Sequence, residues 1–286
     1  MITKLCFKEW SIRMYAVRKK NVESNTSPEV IVDVLPVLAG HIYVVRDDLL
    51  PGGTKQRAAI PFLKQLNQKG TREFVYASPF AGFAQVALAV SCQNLGINCT
   101  LFCERDKSAS PVSMNAHEFT KLAAAHGARI ILLHDLQTAE KQAEDYASQN
   151  EFRFKIPLGF DLSIFRELLA AEVSLQWKSI EKRASARPKA LWVPIGSGTL
   201  ATVFRAVLPR EVQLRLVDVR VLSSHDSRIQ KLQGFPNVQY YRAPELFHEP
   251  VQNVPPVPSN RFYDAKLWKF VLENAGDGEV WWNVAR

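Results

Sequence analysis

Hydrophobic and polar positions along the chain change period in a repeating way. Ile42, Tyr43, Val44 and Val45 read as a strand, and Ile60, Leu63 and Leu66 then recur at helical spacing, which predicts a helix over 58–66. From residue 74 the alternation becomes regular. A short strand over 74–76 leads through the turn Ser78-Pro79-Phe80-Ala81-Gly82 into an alanine-rich helix over 83–95, which Gly96 stops. A strand over 98–103, a helix over 113–126 stopped by Gly127, a strand over 128–133 and a helix over 139–148 follow. Strand-turn-helix units of this length imply parallel strands with crossover helices, so residues 70–170 are expected to form a compact α/β lobe. Beyond it lie a long amphipathic helix over 162–180, a buried strand over 190–195, a helix over 200–208, a helix opening at 262–267 and a closing strand over 278–284. A helix is also predicted over 28–38, after the loop Ser24-Asn25-Thr26-Ser27-Pro28.

Composition narrows the class. The 286 residues are 47% hydrophobic and 22% charged, an ordinary globular balance, and no apolar run reaches the roughly 18 residues that cross a bilayer. Residues 1–20 carry no signal-peptide apolar core, because Lys4, Lys8, Glu9 and Arg13 interrupt them; a cytoplasmic protein is expected. Cys6, Cys92, Cys99 and Cys103 show neither CxxC spacing nor histidine partners at metal-ligand spacing, so they read as buried or free thiols. The net charge of +8, concentrated at 13–20 and 178–189, points to anionic partners and leaves nucleic acid open. No zinc-finger, RNP-like or homeodomain pattern accompanies it.

Three stretches could carry chemistry. In Arg46-Asp47-Asp48-Leu49-Leu50-Pro51-Gly52-Gly53-Thr54-Lys55-Gln56-Arg57, a lysine stands at a glycine-rich strand-to-helix turn. A lysine held partly desolvated there can lose its proton and act as an amine nucleophile; otherwise it is a surface residue of a loop. In Gly196-Ser197-Gly198-Thr199, exposed backbone N–H groups, two hydroxyls and a helix N-terminus combine into an anion site suited to a phosphate monoester. A dinucleotide site would need a third glycine, which is missing, although Asp218 stands near the expected acidic offset. Finally, Phe262-Tyr263-Asp264-Ala265-Lys266-Leu267 follows a loop containing Pro255, Pro256 and Pro258. There Tyr263 is either a core tyrosine or an acid/base group, and Asp264 either a helix-start acid or a site carboxylate.

The lysine turn, the phosphate turn some 140 residues later and the α/β lobe between them resemble the fold type II pyridoxal-phosphate enzymes, over about residues 40–285. The nearest resemblance is to the branch of D-cysteine desulfhydrase and 1-aminocyclopropane-1-carboxylate deaminase, which also has an Ile-Pro-x-Gly-like segment (here Ile156 to Gly159) and a C-terminal Tyr-acid segment. The resemblance implies an α/β, two-lobe tryptophan-synthase-β-like fold. Its large cofactor-binding domain would be 1–69 plus 171–286, with a small domain, 70–170, inserted in it. It implies that Lys55 carries pyridoxal 5'-phosphate as a Schiff base, that Gly196, Ser197, Gly198 and Thr199 hold its phosphate, that Asp264 partners the ring nitrogen, and that Tyr263 faces the substrate.

One segment departs from the family. The turn before the first small-lobe helix has no asparagine to meet the cofactor hydroxyl. Backbone at Ala81 and Gly82 and the Ser78 hydroxyl remain as substrate-binding candidates, and Phe80 or Phe83 is expected to intrude. The family default is an enzyme acting at Cα of a small amino acid through an external aldimine, by deamination, β-elimination or decarboxylation, and as a homodimer. The altered turn and the positive charge keep a second reading open: an amino-acyl group attached to a nucleotide or DNA base. A third is a protein that binds the cofactor without turnover.

Overall fold

A computed structural model of the chain describes residues 27–106 and 115–286. The basic run at 13–20, Cys6 and the first residues of the helix predicted over 113–126 lie outside the described residues.

Two sheets organise the protein. The first joins β1 (Val32–Val37), β2 (Gly40–Arg46), β7 (Ala190–Ile195), β8 (Gln213–Asp218), β9 (Val238–Arg242) and β10 (Glu279–Asn283) in the order β1-β2-β10-β7-β8-β9. The second joins β3 (Glu73–Ser78), β4 (Asn98–Glu104), β5 (Arg129–Leu133) and β6 (Arg153–Ile156) in the order β5-β4-β3-β6. Every pairing is parallel except β1 with β2. The helices are α1 (Gly53–Gln68), α2 (Ala84–Leu95), α3 (Glu118–Ala125), α4 (Leu136–Ser148), α5 (Ser163–Arg183), α6 (Thr199–Val207), α7 (Ser227–Gln233) and α8 (Trp268–Asn274). This is the α/β, tryptophan-synthase-β-like architecture.

Both faces of the sheets are covered, which explains the unbroken apolar runs of the strands. Along β10, Trp281 faces Trp192, Leu267 and Trp268 on one side, while Trp282 faces Val45, Val193 and Phe204 on the other. In the smaller sheet, Phe74 and Tyr76 of β3 join the main core, and Val75 and Ala77 pack on Ala139, Ala143 and Ala147 of α4. Alanine at every fourth position brings that helix close to the strands.

Residues 28–38, expected as a helix, instead hold β1. Val32 pairs with Val45 and Val37 with Gly40 around a tight turn at Leu38 and Ala39. Pro36 disfavours a helix interior but is tolerated on this edge strand, and the β-branched valines suit it. Helix α1 starts at Gly53, five residues earlier than its apolar spacing suggested, and contains Pro61. Strands β8 and β9 and helix α7 fall in a stretch for which the pattern along the chain gave no element.

Candidate active site

The cleft collects the ends of parallel strands. Lys55 follows β2, Pro79, Gly82 and Phe83 follow β3, and Leu158 and Gly159 follow β6. Ser197 follows β7, Val221 follows β8, and Val284 and Ala285 follow β10; all of these line one cleft, with Tyr76, Tyr263 and Asp264. Ligands of open α/β sheets bind outside the carboxyl ends of the strands for this reason. A wider groove runs along the outer face of α1 past Leu50, Ile60 and Lys64, but its Arg57 is committed to an internal ion pair.

The Arg-Asp-Asp…Lys-x-Arg motif is a rigid mount for Lys55. Arg57 donates to Asp47 through Nε at 3.0 and 3.2 Å and through Nη2 at 2.6 Å, with both side chains out of solvent. Trp282 Nε1 donates to Asp47 Oδ2 at 2.9 Å and to Thr54 Oγ1 at 3.0 Å, tying the last strand to the first turn of α1. Arg46 grips Asp48 at 2.7 and 2.9 Å and also pairs with Asp33 of β1. Gly53 takes φ +63°, and a side chain there would meet the Val284 carbonyl; glycine lets α1 start against the chain leaving β10. Leaving a buried ion unpaired costs roughly 3–5 kcal/mol, so each partner of Arg57 is held in place by the others.

Lys55 therefore stands in the first turn of α1 with its amine in the cleft. No acceptor among the described residues takes a hydrogen bond from it. Burial pulls its pKa from 10.5 down to about 8, against a smaller opposing pull from the negative charge of Asp264. Asp264 is fully buried; burial raises its pKa well above the ordinary carboxylate range, opposed by hydrogen bonds from Val284 N at 2.7 Å and Ala285 N at 3.2 Å. Burial drives both groups toward their neutral forms. Tyr263 is raised likewise, chiefly by burial, and stays a neutral phenol at physiological pH.

The structure brings Lys55, Tyr263, Asp264, Ser197 and Gly82 to one cleft and leaves the other sequence candidates behind its wall. Gly196, Gly198 and Thr199 shape the turn under Ser197, whose hydroxyl lies 3.2 Å from that of Thr199 at the start of α6. Ser78 is buried and donates to the Pro79 carbonyl at 2.9 Å, and Ala81 is buried among apolar side chains. Phe83 lines the cleft and packs on Phe119 at 5.2 Å, whereas Phe80 turns away into His117, Phe247 and Phe262. The Phe80 N–H meets Glu104 Oε2 at 3.4 Å, and Gln85 donates to the Phe80 and Gly82 carbonyls at 3.1 and 2.8 Å, which fixes the turn from within. Tyr76, Val221, Val284 and Ala285 were not singled out along the chain. Their position at or after the C-terminal ends of buried parallel strands is the signal that finds them.

These groups define an α/β cleft with a desolvated amine at one end and a hydroxyl-rich helix start at another. The chain belongs to the pyridoxal-phosphate dependent enzyme family, whose model matches residues 32–231. No curated protein matches it in sequence. Among solved structures it is similar to an ACC deaminase homologue (TM-score 0.72, 15% identity, 92% of this chain and 90% of that one). It is also similar to apo diaminopropionate ammonia lyase from Escherichia coli (0.63, 12%, 92% and 84%) and to the threonine deaminase of T.th. (0.62, 14%, 85% and 86%). At these identities the likeness establishes the fold, fold type II. The family's cofactor is pyridoxal phosphate, and the residues present fit it: an unbonded amine, a buried carboxylate and a hydroxyl turn share the cleft. A Cβ at Gly196 would run into the Tyr263 hydroxyl, so glycine keeps that wall closely packed. Within the described residues, no group of His, Cys, Asp and Glu side chains could hold a metal ion, and no helix is long and apolar enough to cross a membrane.

Proposed function

We propose that this enzyme acts at Cα of an amino-acid substrate, in a lyase or deaminase reaction. The observation that carries the reading is the desolvated Lys55 amine, free of bonds to described acceptors, in one cleft with Asp264 and Ser197. Lys55 is the covalent anchor for pyridoxal phosphate; Gly196, Ser197, Gly198 and Thr199 seat the phosphate; Asp264 holds a proton at the ring nitrogen. Bound there, the cofactor supplies a conjugated sink for the electron pair left when a bond at Cα breaks. The Lys55 amine, when free, would take or return a proton at Cα, and its pKa of about 8 suits both directions. Tyr263, neutral and half-buried at the cleft, donates its phenol proton toward the substrate. Phe83, Val221 and Val284 keep water from the reacting atoms.

Lys55→Ala tests this directly. It should abolish turnover and the visible absorbance of the lysine-bound cofactor; a variant that kept that absorbance would place the anchor on another lysine.

The ACC deaminase homologue and the ammonia lyase support deamination or elimination on a small amino acid as the first reading. The +8 charge and the altered turn before α2, which puts Phe83 in the cleft, favour a second: an amino-acyl arm carried by a nucleotide or DNA base. Steeply salt-dependent binding of oligonucleotides would support the second and its absence would remove it. We also propose the sheet of β3 to β6 as a small domain, residues 70–170, inserted in a large one, in a cytoplasmic homodimer.

A further inference from the structure

We propose that the Tyr76 hydroxyl is a phosphate-binding donor, reaching from the smaller sheet to the turn at Gly196 to Thr199 on the larger one. The inference rests on the cofactor seat proposed above.

Tyr76 sits in β3 and is 1% exposed, yet it lines the cleft. Its ring is fixed against Phe160, at 5.9 Å between centroids. Its oxygen accepts from Gly159 N at 3.4 Å. Gly159 in turn abuts the phosphate turn: a Cβ there would run into Ser197 Oγ and come within 3.0 Å of Thr199 Oγ1. The hydroxyls of Tyr76, Ser197 and Thr199 thus reach one residue from two lobes. The Tyr76 oxygen accepts one bond, but no acceptor among the described residues takes its proton. A buried O–H without an acceptor costs about 1–3 kcal/mol, and an anion at the turn would relieve that cost. Burial raises the phenol's pKa, so the oxygen keeps its proton at neutral pH. The nearby Arg228 is not free for this role, because Asp226 holds it through Nε and Nη2 at 2.9 and 2.8 Å. A phosphate at the turn would then be bound from both sheets at once.

The test uses protein stripped of cofactor and calorimetric titration with three probes: inorganic phosphate, pyridoxal phosphate and pyridoxal. Tyr76→Phe keeps the ring against Phe160 and removes only the hydroxyl. It should weaken binding of both phosphate-bearing probes by about tenfold or more, as expected for a hydrogen bond to a charged group, and leave pyridoxal unchanged. Equal affinity of wild type and Tyr76→Phe for both phosphate probes would overturn the inference and leave the cofactor seat standing. An equal loss for pyridoxal would also overturn it, showing a tyrosine that only pegs Gly159. If the wild-type protein binds none of the three probes, both the seat and the inference fall. A second pair guards against misfolding: Tyr76→His keeps a donor and Tyr76→Leu does not. The histidine variant should bind phosphate more tightly, and equal affinities would overturn the proposal.

Discussion

The ionisation of Lys55 can be measured apart from any substrate. An ordinary lysine at pH 7, with a pKa of 10.5, presents its free amine in about one molecule in 3,000; at a pKa of about 8 the fraction is about one in ten. The cleft therefore makes this amine roughly 300-fold more available at neutral pH. The assay is the initial rate at which cofactor-free protein captures pyridoxal phosphate, followed by visible absorbance across pH 6 to 11. The wild-type rate should rise with pH and level off with a midpoint of about 8. Asp264→Asn removes the negative charge that raises the lysine's pKa, so its midpoint should fall below that of wild type. A wild-type midpoint near 10.5 would show that Lys55 is solvated and the cleft open, and an upward shift in Asp264→Asn would refute the pairing. The same displacement acts on stability. Between about 8 and 10.5 the unfolded chain holds a proton that the folded chain has lost, so this contribution to stability rises with pH in that window and is lost as pH falls through 8. Lys266, also lowered to about 8 by burial, adds to the same slope, so the difference between wild type and Lys55→Ala isolates the part due to Lys55.

Trp282→Phe should destabilise the protein by about 2–4 kcal/mol, since a hydrogen bond to the buried Asp47 is lost and a gap opens beside Thr54; urea denaturation at unchanged slope checks this, and cofactor affinity should fall as the mount of Lys55 loosens. Gly196→Ala should displace Tyr263 and lower kcat more than it lowers stability, which steady-state kinetics beside a thermal melt will show. Asp264→Asn should slow turnover more than it weakens cofactor binding, while Asp264→Glu retains more activity; equal single-turnover rates for Asp264→Asn and wild type would leave the aspartate as a backbone-capping acid for Val284 and Ala285.

The chain order of Lys55, the α/β lobe, Ser197 and the Tyr263-Asp264 pair is local information, and it was legible in the sequence together with most of the strands. Glycines, hydroxyls and apolar runs need only near neighbours to declare a turn, a helix start or a buried strand. The tertiary structure decided what depends on distant partners. Residues 28–38 became an edge strand because β2 supplies the hydrogen bonds and Pro36 can sit on an edge. The ladder of β8 with β9 and the covering α7 placed 213–242 in the larger sheet. Asp47, two positions after the run Ile42 to Val45, is held by Arg57 and by Trp282 from the far end of the chain. Tyr76 entered the cleft although it reads as one more apolar position of a strand. Asp264 acquired its raised pKa only from complete burial beside the chain after β10. Burial and long-range hydrogen bonding, not residue type, decide whether a lysine is a nucleophile or a surface charge, and they are properties of the folded chain alone.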